Sequence, residues 1–222
     1  MAETLIRLLT ILAIACLCSL SIQHPLGGHH VSNIYHGIHH VWKHATYRQF
    51  SGPAANYPDV GTWTRYDFVW NLNKAALLTG GNTVSDVANI ELAIDSCANQ
   101  YQIDRRLILG MMMQESRGNM GVITTYSGDL PTEGLMQCSG CLGFPGQHGL
   151  SKEAIESMVC GGVKHFKENM QHWSNRWSGT SVWPALREYN SGNVNEADLG
   201  DGRGATASYV ADVANRVTGW AN

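Results

Sequence analysis

Residues 107–113 read LILGMMM, and this run is apolar except for its glycine. Asp104 precedes it and can cap the first turn of a helix over RRLILGMMMQES, while Glu115 lies close to the far end. A helix that is apolar around nearly its whole circumference is stable only when other elements cover it on all sides. The chain is therefore predicted to place this helix at its centre and to carry Glu115 to the helix's buried end.

The predicted position of Glu115 favours a raised pKa. Desolvation disfavours the carboxylate anion, and so does the partial negative charge at a helix C-terminus. Arg117 would oppose both effects if its side chain folded back. A carboxyl that keeps its proton near neutral pH can act as a general acid. The alternative is a solvated glutamate on the surface, the usual place for this residue type.

Further helices and one irregular insert are predicted around the central helix. Residues 117–149 are rich in glycine and turn residues, which suits a small hairpin and loops. The fold class is therefore mainly α, or α+β: a helical domain with a small glycine-rich hairpin and loop insert. The other predicted helices are VSDVANIELAIDSCANQY capped by Ser85 or Asp86, one from Ser151 to about Trp173, WPALREYN with Pro184 near its first turn, and TASYVADVANRVTGW ended by Gly219.

The N-terminal residues 1–21 have the pattern of a secretory signal peptide. Arg7 precedes an apolar run over residues 8–20, and Ser19 and Ser21 supply the small residues of a cleavage site. The run is short for a retained membrane anchor, which needs about 20 residues, and it lacks the polar face of a core helix. The mature protein is therefore predicted to be secreted, extracellular and free of membrane.

Residues 22–61 are predicted to form a histidine-rich arm and a linker ahead of a catalytic domain at 62–222. The arm holds seven of the ten histidines, and residues 51–61 (SGPAANYPDVG) are rich in proline and glycine. Four histidines would share one helical face and could bind a transition metal. A solvated arm is favoured, since no carboxylate or cysteine joins them, and no cofactor is expected. The four are His36, His39, His40 and His44.

Removal of the signal leaves an even number of cysteines, which in an exported chain indicates two disulfides. Three connectivities are possible. The CSGC spacing at residues 138–141 also suits a zinc site, but a second cysteine or histidine pair to complete it is missing. The four cysteines are Cys97, Cys138, Cys141 and Cys160.

Three short motifs occur in a fixed order along the chain: ES at residues 115–116, GLMQ at 134–137 and YNSG at 189–192. With these motifs the chain resembles the lysozyme-like superfamily of soluble lytic transglycosylases and goose-type lysozymes. It looks most like the secreted fungal branch, an impression that the ending SYVADVANRVTGW reinforces. The resemblance covers about residues 85–222.

The resemblance implies a lysozyme-like fold and assigns roles to residues of the three motifs. Glu115 would be the catalytic acid, and Tyr189 would place its phenol near the Glu115 carboxyl. Asn190 would hold the loop or the ligand, and Gln137 would hydrogen-bond the sugar. The remaining residues that the resemblance assigns to substrate binding are Ser116, Gly134, Leu135 and Met136.

Most glycosidases use two carboxylates, and Asp129 and Glu133 are the candidates for the second. The turn-like sequence around them favours a role as ordinary turn residues over a role as the base that activates water. Bacterial relatives typically carry an aromatic two residues after the glutamate, where this chain has Arg117 followed by Gly118. They carry a small residue before the YN of the third motif, where this chain has Glu188. A net charge of −3 disfavours nucleic acid as a partner and is unusual for an enzyme that attacks anionic peptidoglycan.

These observations predict a secreted, monomeric glycosidase that cleaves β-1,4 bonds in a polymer containing N-acetylglucosamine. By resemblance the substrate is peptidoglycan, cut by muramidase or lytic transglycosylase chemistry. The net negative charge and the two departures from bacterial relatives favour chitin or chitosan as an alternative substrate. A non-catalytic glycan-binding or host-interaction protein on the same fold is the second alternative, and metal binding by the histidine arm is the third.

Overall fold

Six α-helices carry about half of residues 44–222, the part of the chain that this computed structural model describes. A three-stranded antiparallel sheet in the order β1-β2-β3 is inserted between the third and fourth helices. The architecture is helical with one small sheet, as the sequence predicts. The helices are α1 Tyr66–Thr79, α2 Val84–Tyr101, α3 Arg105–Glu115, α4 Lys152–His172, α5 Gly179–Ser191 and α6 Tyr209–Val217; the strands are β1 Thr125–Ser127, β2 Leu130–Glu133 and β3 Cys138–Ser139.

Helix α3 is the central helix. All side chains of residues 107–113 are at most 1% exposed. Asp104 caps the helix by accepting a hydrogen bond from the backbone N–H of Arg106. Helix α6 packs directly along it, since a Cβ on Gly110 would lie 3.5 Å from side-chain carbons of Val213 and Val217. The apolar circumference predicted from the sequence is thus covered.

Helix α2 begins with a cap that differs from the predicted one. Thr83, not Ser85 or Asp86, is the N-cap residue. Its hydroxyl accepts from the Asp86 backbone N–H, and the Asp86 carboxylate accepts from the Thr83 backbone N–H at 2.8 Å. This reciprocal capping box satisfies two backbone donors that the helix itself cannot bond.

Helix α5 begins five residues before Pro184, rather than near it. The carbonyl of Ser178 accepts from the backbone N–H groups of Ser181 and Val182, so the first turn is closed before the proline is reached. The proline then removes a single hydrogen bond inside the helix. Helix α4 begins after Ser151 and α6 is followed by Gly219, as predicted.

The two predicted disulfides are present, and the structure gives their connectivity. Cys97–Cys160 joins α2 to α4 across 63 residues of sequence. Cys138–Cys141 closes the turn that follows β3. By the loop-closure relation the first bridge contributes about 4 kcal/mol to stability, and the second less than about 2 kcal/mol.

Residues 44–61 pack against the helices, although they were expected to be the end of an arm and a linker. The Asn215 side chain accepts from the backbone N–H of Arg48 at 2.7 Å, and Asp198 accepts from that of Gly52 at 2.7 Å. Tyr57 is only 6% exposed. The aromatic anchor and the backbone hydrogen bonds hold this segment on the domain despite its glycine and proline.

Residues 1–21, predicted as a signal peptide, and His36, His39 and His40 lie outside the described residues. His44 is described and its side chain is exposed. Within residues 44–222, no three histidine, cysteine or acidic side chains come together as a metal site would require. None of the helices in this range has the length and apolar character needed to cross a membrane.

Candidate active site

Glu115 is the last residue of α3, and its side chain is half-buried. Its Oε1 atom accepts a hydrogen bond of 2.5 Å from the Tyr209 hydroxyl. Burial raises the pKa of Glu115 to about 7, and the Tyr209 hydrogen bond opposes part of this effect. Among residues 44–222, no lysine, arginine or histidine forms an ion pair with the carboxyl. Glu115 is therefore a carboxylic acid that can hold its proton close to neutral pH.

Glu115 lines a cleft of about 750 Å³. One side of the cleft is formed by β1, the β1–β2 turn and the start of β3, and the other by the end of α5 together with residues 204–206. Tyr209 reaches the cleft from the first position of α6. The cleft thus collects side chains from segments that are far apart in the sequence.

Gln137 belongs to the sheet side of the cleft, and its amide is fixed by neighbouring groups. Its Oε1 accepts from the Thr125 hydroxyl at 2.9 Å, and its Nε2 donates to the Gly134 carbonyl at 3.0 Å. Carbonyl oxygens can accept a second hydrogen bond, so the Gln137 side chain can still accept from a ligand.

The rest of the GLMQ motif lies behind the cleft rather than on its surface. Leu135 and Met136 have side chains that are 0% exposed. Gly134 has φ of +70°, and a side chain there would overlap the carbonyl of Leu142. The Ser116 hydroxyl donates to the Leu135 carbonyl at 2.8 Å, which ties the end of α3 to this motif. These four residues support the site from behind the surface that a ligand contacts.

Tyr189 and Asn190 both line the cleft. The Tyr189 hydroxyl donates to the Met136 carbonyl at 2.7 Å rather than to Glu115. Burial raises the pKa of Tyr189 well above its ordinary value, and the nearby charge of Glu115 adds to this effect. The Asn190 side chain accepts from the guanidinium of Arg187, which is itself buried.

Tyr209, which holds the Glu115 carboxyl, is not among the residues predicted from the sequence. Burial raises its pKa well above the ordinary value, with a further contribution from Glu115, so it stays a neutral donor. It belongs to the motif SYVADVANRVTGW, whose helical pattern alone makes it look like a core aromatic. A tyrosine at the start of a helix is common in protein cores, so the sequence pattern gives no reason to assign Tyr209 to the site.

Neither proposed second acid lines the cleft in the described part of the chain. Asp129 is exposed in the β1–β2 turn, and Glu133 accepts from the Thr124 hydroxyl at 2.9 Å. The second carboxylate on the cleft wall is that of Glu188. Trp173 Nε1 donates to its Oε2 at 2.6 Å, and His172 Nδ1 lies 2.7 Å from its Oε1.

Glu115 can donate a proton to an atom of a bound ligand. The amides and hydroxyls on both sides of the cleft can form hydrogen bonds with the ligand's polar groups. Comparison of the sequence with known protein families finds no family that matches it. Comparison with curated proteins likewise finds no match.

Proposed function

We propose that this protein is a glycosidase that cleaves β-1,4 bonds in a polymer containing N-acetylglucosamine, with Glu115 as the general acid. The observation that carries the proposal is the environment of this carboxyl. Glu115 lines a polar cleft, forms no ion pair with the described cations, and has a pKa raised to about 7 by burial. A carboxylic acid that is protonated near neutral pH is what cleavage of a glycosidic bond requires.

In the proposed reaction, Glu115 donates its proton to the oxygen that links two sugars, and the bond between that oxygen and the anomeric carbon breaks. Positive charge develops on the anomeric carbon and is stabilised by the newly formed carboxylate and by cleft dipoles. The Glu115 carboxylate then accepts a proton from the attacking hydroxyl. Water as the attacking group gives hydrolysis, and the 6-hydroxyl of the same sugar gives a 1,6-anhydro product.

The cleft suits a sugar polymer in size and chemistry. Its volume of about 750 Å³ lies within the range of sites that bind small molecules, and it is lined by amides and hydroxyls. Gln137 and Asn190 offer amide groups to an N-acetyl substituent. Tyr126 is 70% exposed at the sheet side, so its ring can pack against the apolar face of a sugar.

We also propose that the protein acts outside the cell. The support is the pair of disulfides, Cys97–Cys160 and Cys138–Cys141, since such bonds persist in oxidising compartments.

The proposal is tested with Glu115→Gln, which keeps the shape of the side chain and removes the acid. Purified wild type and variant are compared for clearing of bacterial cell walls and for cleavage of chitin oligomers, with products identified by mass. We expect the variant to lose about 100- to 10,000-fold in rate. Glu133→Gln is the matched control, since Glu133 lies off the cleft, and it should keep wild-type activity.

Equal activity of wild type and Glu115→Gln would exclude this carboxyl from the reaction. Oligomer binding without turnover by the wild type would instead support the glycan-binding alternative. Product mass separates the two chemistries, because a 1,6-anhydro sugar is lighter than a hydrolysis product by one water.

A further inference from the structure

Glu188 is a carboxylate in the cleft that the proposed general-acid step does not use. It lies next to Tyr189 near the end of α5, and its side chain is 20% exposed. Tyr189 is close enough to Glu115 for the charge of that carboxyl to raise its pKa. Glu188 lines the cleft, and its neighbour in the sequence, Tyr189, lies close to the proposed general acid Glu115.

The Glu188 carboxylate is held in one orientation. Trp173 Nε1 donates to Oε2 at 2.6 Å, and His172 Nδ1 lies 2.7 Å from Oε1. The indole N–H is a neutral donor, so it fixes the group without cancelling its charge. A carboxylate has about four acceptor positions, so capacity remains for a ligand. Because the group is already ordered, a ligand loses little affinity to side-chain ordering.

The cleft is lined by carboxyl groups but not by lysine or arginine of the described residues. Among the described residues that line it, the acids are Glu115 and Glu188, and the histidine is His165. Burial keeps Glu115 protonated below about pH 7. The buried Arg187 guanidinium donates to carbonyls of residues 199, 206 and 207 and to Asn190, behind the cleft surface. Glu188 is thus the carboxylate charge that a ligand in this cleft meets, with the His165 imidazole on the cleft wall and the His172 imidazole against Glu188 itself.

Amino-sugar polymers differ in the charge of the substituent at carbon 2 of each sugar. An acetamide is neutral and gains an ordinary hydrogen bond from a carboxylate, whereas a free amine is cationic and gains a charge-assisted one. The carboxylates of peptidoglycan would be repelled, and no lysine or arginine on the described cleft surface offsets this.

We infer that Glu188 is a specificity-determining residue that makes the cleft prefer amino-sugar polymers carrying free amines over fully acetylated or anionic ones. This inference rests on the proposed function, because it assumes that the cleft binds an amino-sugar polymer. It narrows the substrate class to partly deacetylated β-1,4-linked chains, which carry glucosamine beside N-acetylglucosamine.

The test measures binding by calorimetry, so it does not depend on turnover. The probes are hexamers of glucosamine and of N-acetylglucosamine, titrated into the full chain with Glu115→Gln, alone and combined with Glu188→Gln. Glutamine keeps an oxygen to accept from Trp173 Nε1. We expect the second change to weaken binding of the glucosamine hexamer about tenfold at low salt, since a charge-assisted hydrogen bond is lost. Affinity for the acetylated hexamer should change less than about twofold.

Glu196→Gln in the Glu115→Gln background is the matched control, because Glu196 is an exposed glutamate off the cleft. It should leave both affinities unchanged, and added salt should reduce the preference that Glu188 provides. Unchanged binding of the glucosamine hexamer in the Glu188→Gln protein would overturn the inference. An equal loss for both hexamers, or binding of neither, would overturn it as well. Failure of the proposed function is read separately, from cleavage by the wild type and Glu115→Gln.

Discussion

The proton on Glu115 determines the pH dependence expected of the reaction. Burial raises the pKa of this carboxyl to about 7 from an ordinary 4.5, and a general acid works only while it is protonated. The kcat/KM for oligomer cleavage should therefore fall as pH rises through about 7. A pH–rate profile of the wild type measures this, and a fall already centred near 4.5 would show that the carboxyl is solvated during the reaction.

Tyr209 sets how far the Glu115 pKa rises. Its hydroxyl donates to Glu115 Oε1 and stabilises the anion, so Tyr209→Phe should raise the pKa further. We expect the alkaline fall in kcat/KM to move upward by about one pH unit, the size of a lost hydrogen bond to a charged group.

Tyr189→Phe is the control for this prediction, because its hydroxyl donates to the Met136 carbonyl and not to the carboxyl. It should cost stability while leaving the midpoint of the pH profile in place. The same midpoint in wild type and Tyr209→Phe would mean that the 2.5 Å contact does not persist in solution.

The sequence predicts single residues well where the signal is local. Glu115 follows an apolar run of residues 107–113, and that run alone indicates its buried setting. Its partner Tyr209 is 94 residues away, and the choice between Tyr189 and Tyr209 depends on how α5 and α6 pack. In the sequence, Glu188 stands out only as a departure from the family motif. No local pattern indicates that the indole of Trp173 holds its carboxylate.

At the scale of elements, α4 must approach the GLMQ motif closely, and Gly162 makes this possible. A Cβ on Gly162 would overlap the Met136 side chain and lie 3.2 Å from the Tyr189 hydroxyl oxygen. Gly162→Ala should therefore lower the free energy of unfolding by about 1–3 kcal/mol, because overpacking outweighs the gain in helix propensity. Urea unfolding monitored by circular dichroism measures this change.

Gly110→Ala is the matched control, a glycine inside α3. Its Cβ would meet only ordinary contacts, the nearest at 3.5 Å, so the variant should keep wild-type stability or gain up to about 1 kcal/mol. If Gly162→Ala were as stable as Gly110→Ala, the close packing of α4 on Met136 would be wrong.

The sequence predicts the helices correctly where the hydrophobic pattern is long, and it predicts their ends less well. Asp104 caps α3 as predicted, and α4 starts at the predicted place, with Ser151 as its N-cap. In the cap of α2, the Thr83 and Asp86 side chains each accept from the other residue's backbone N–H, and α5 starts before the proline that was predicted near its first turn. Such ends depend on competing local hydrogen bonds of similar strength, which a pattern of apolar residues does not rank.

At the scale of the whole molecule, Asn215 holds residues 44–61 on the helical domain. Its side chain is 1% exposed, accepts from the Arg48 backbone N–H, and donates to the Arg48 and Ala211 carbonyls at 2.8 Å. Asn215→Ala should lower the free energy of unfolding by about 2 kcal/mol, since several hydrogen bonds are lost. Tryptic cleavage after Arg48 should also become faster than in the wild type.

Asn99→Ala serves as the control, because Asn99 is an exposed asparagine on α2. Its unfolding and its cleavage after Arg48 should match those of the wild type. Wild-type cleavage kinetics in Asn215→Ala would indicate that Tyr57 and the contacts of Gly52 hold the segment without this side chain.

The contact between α6 and the end of α3 has a consequence for the order in which the molecule is made. A ribosome adds Glu115 to the growing polypeptide 94 residues before it adds Tyr209. Until that tyrosine has emerged and docked, the carboxyl lacks its hydrogen-bond donor and the cover that α6 gives to α3. A nascent chain that terminates between these two positions would carry the carboxyl without its partner, so translation must proceed into α6 before the proposed general acid has its hydrogen-bond donor.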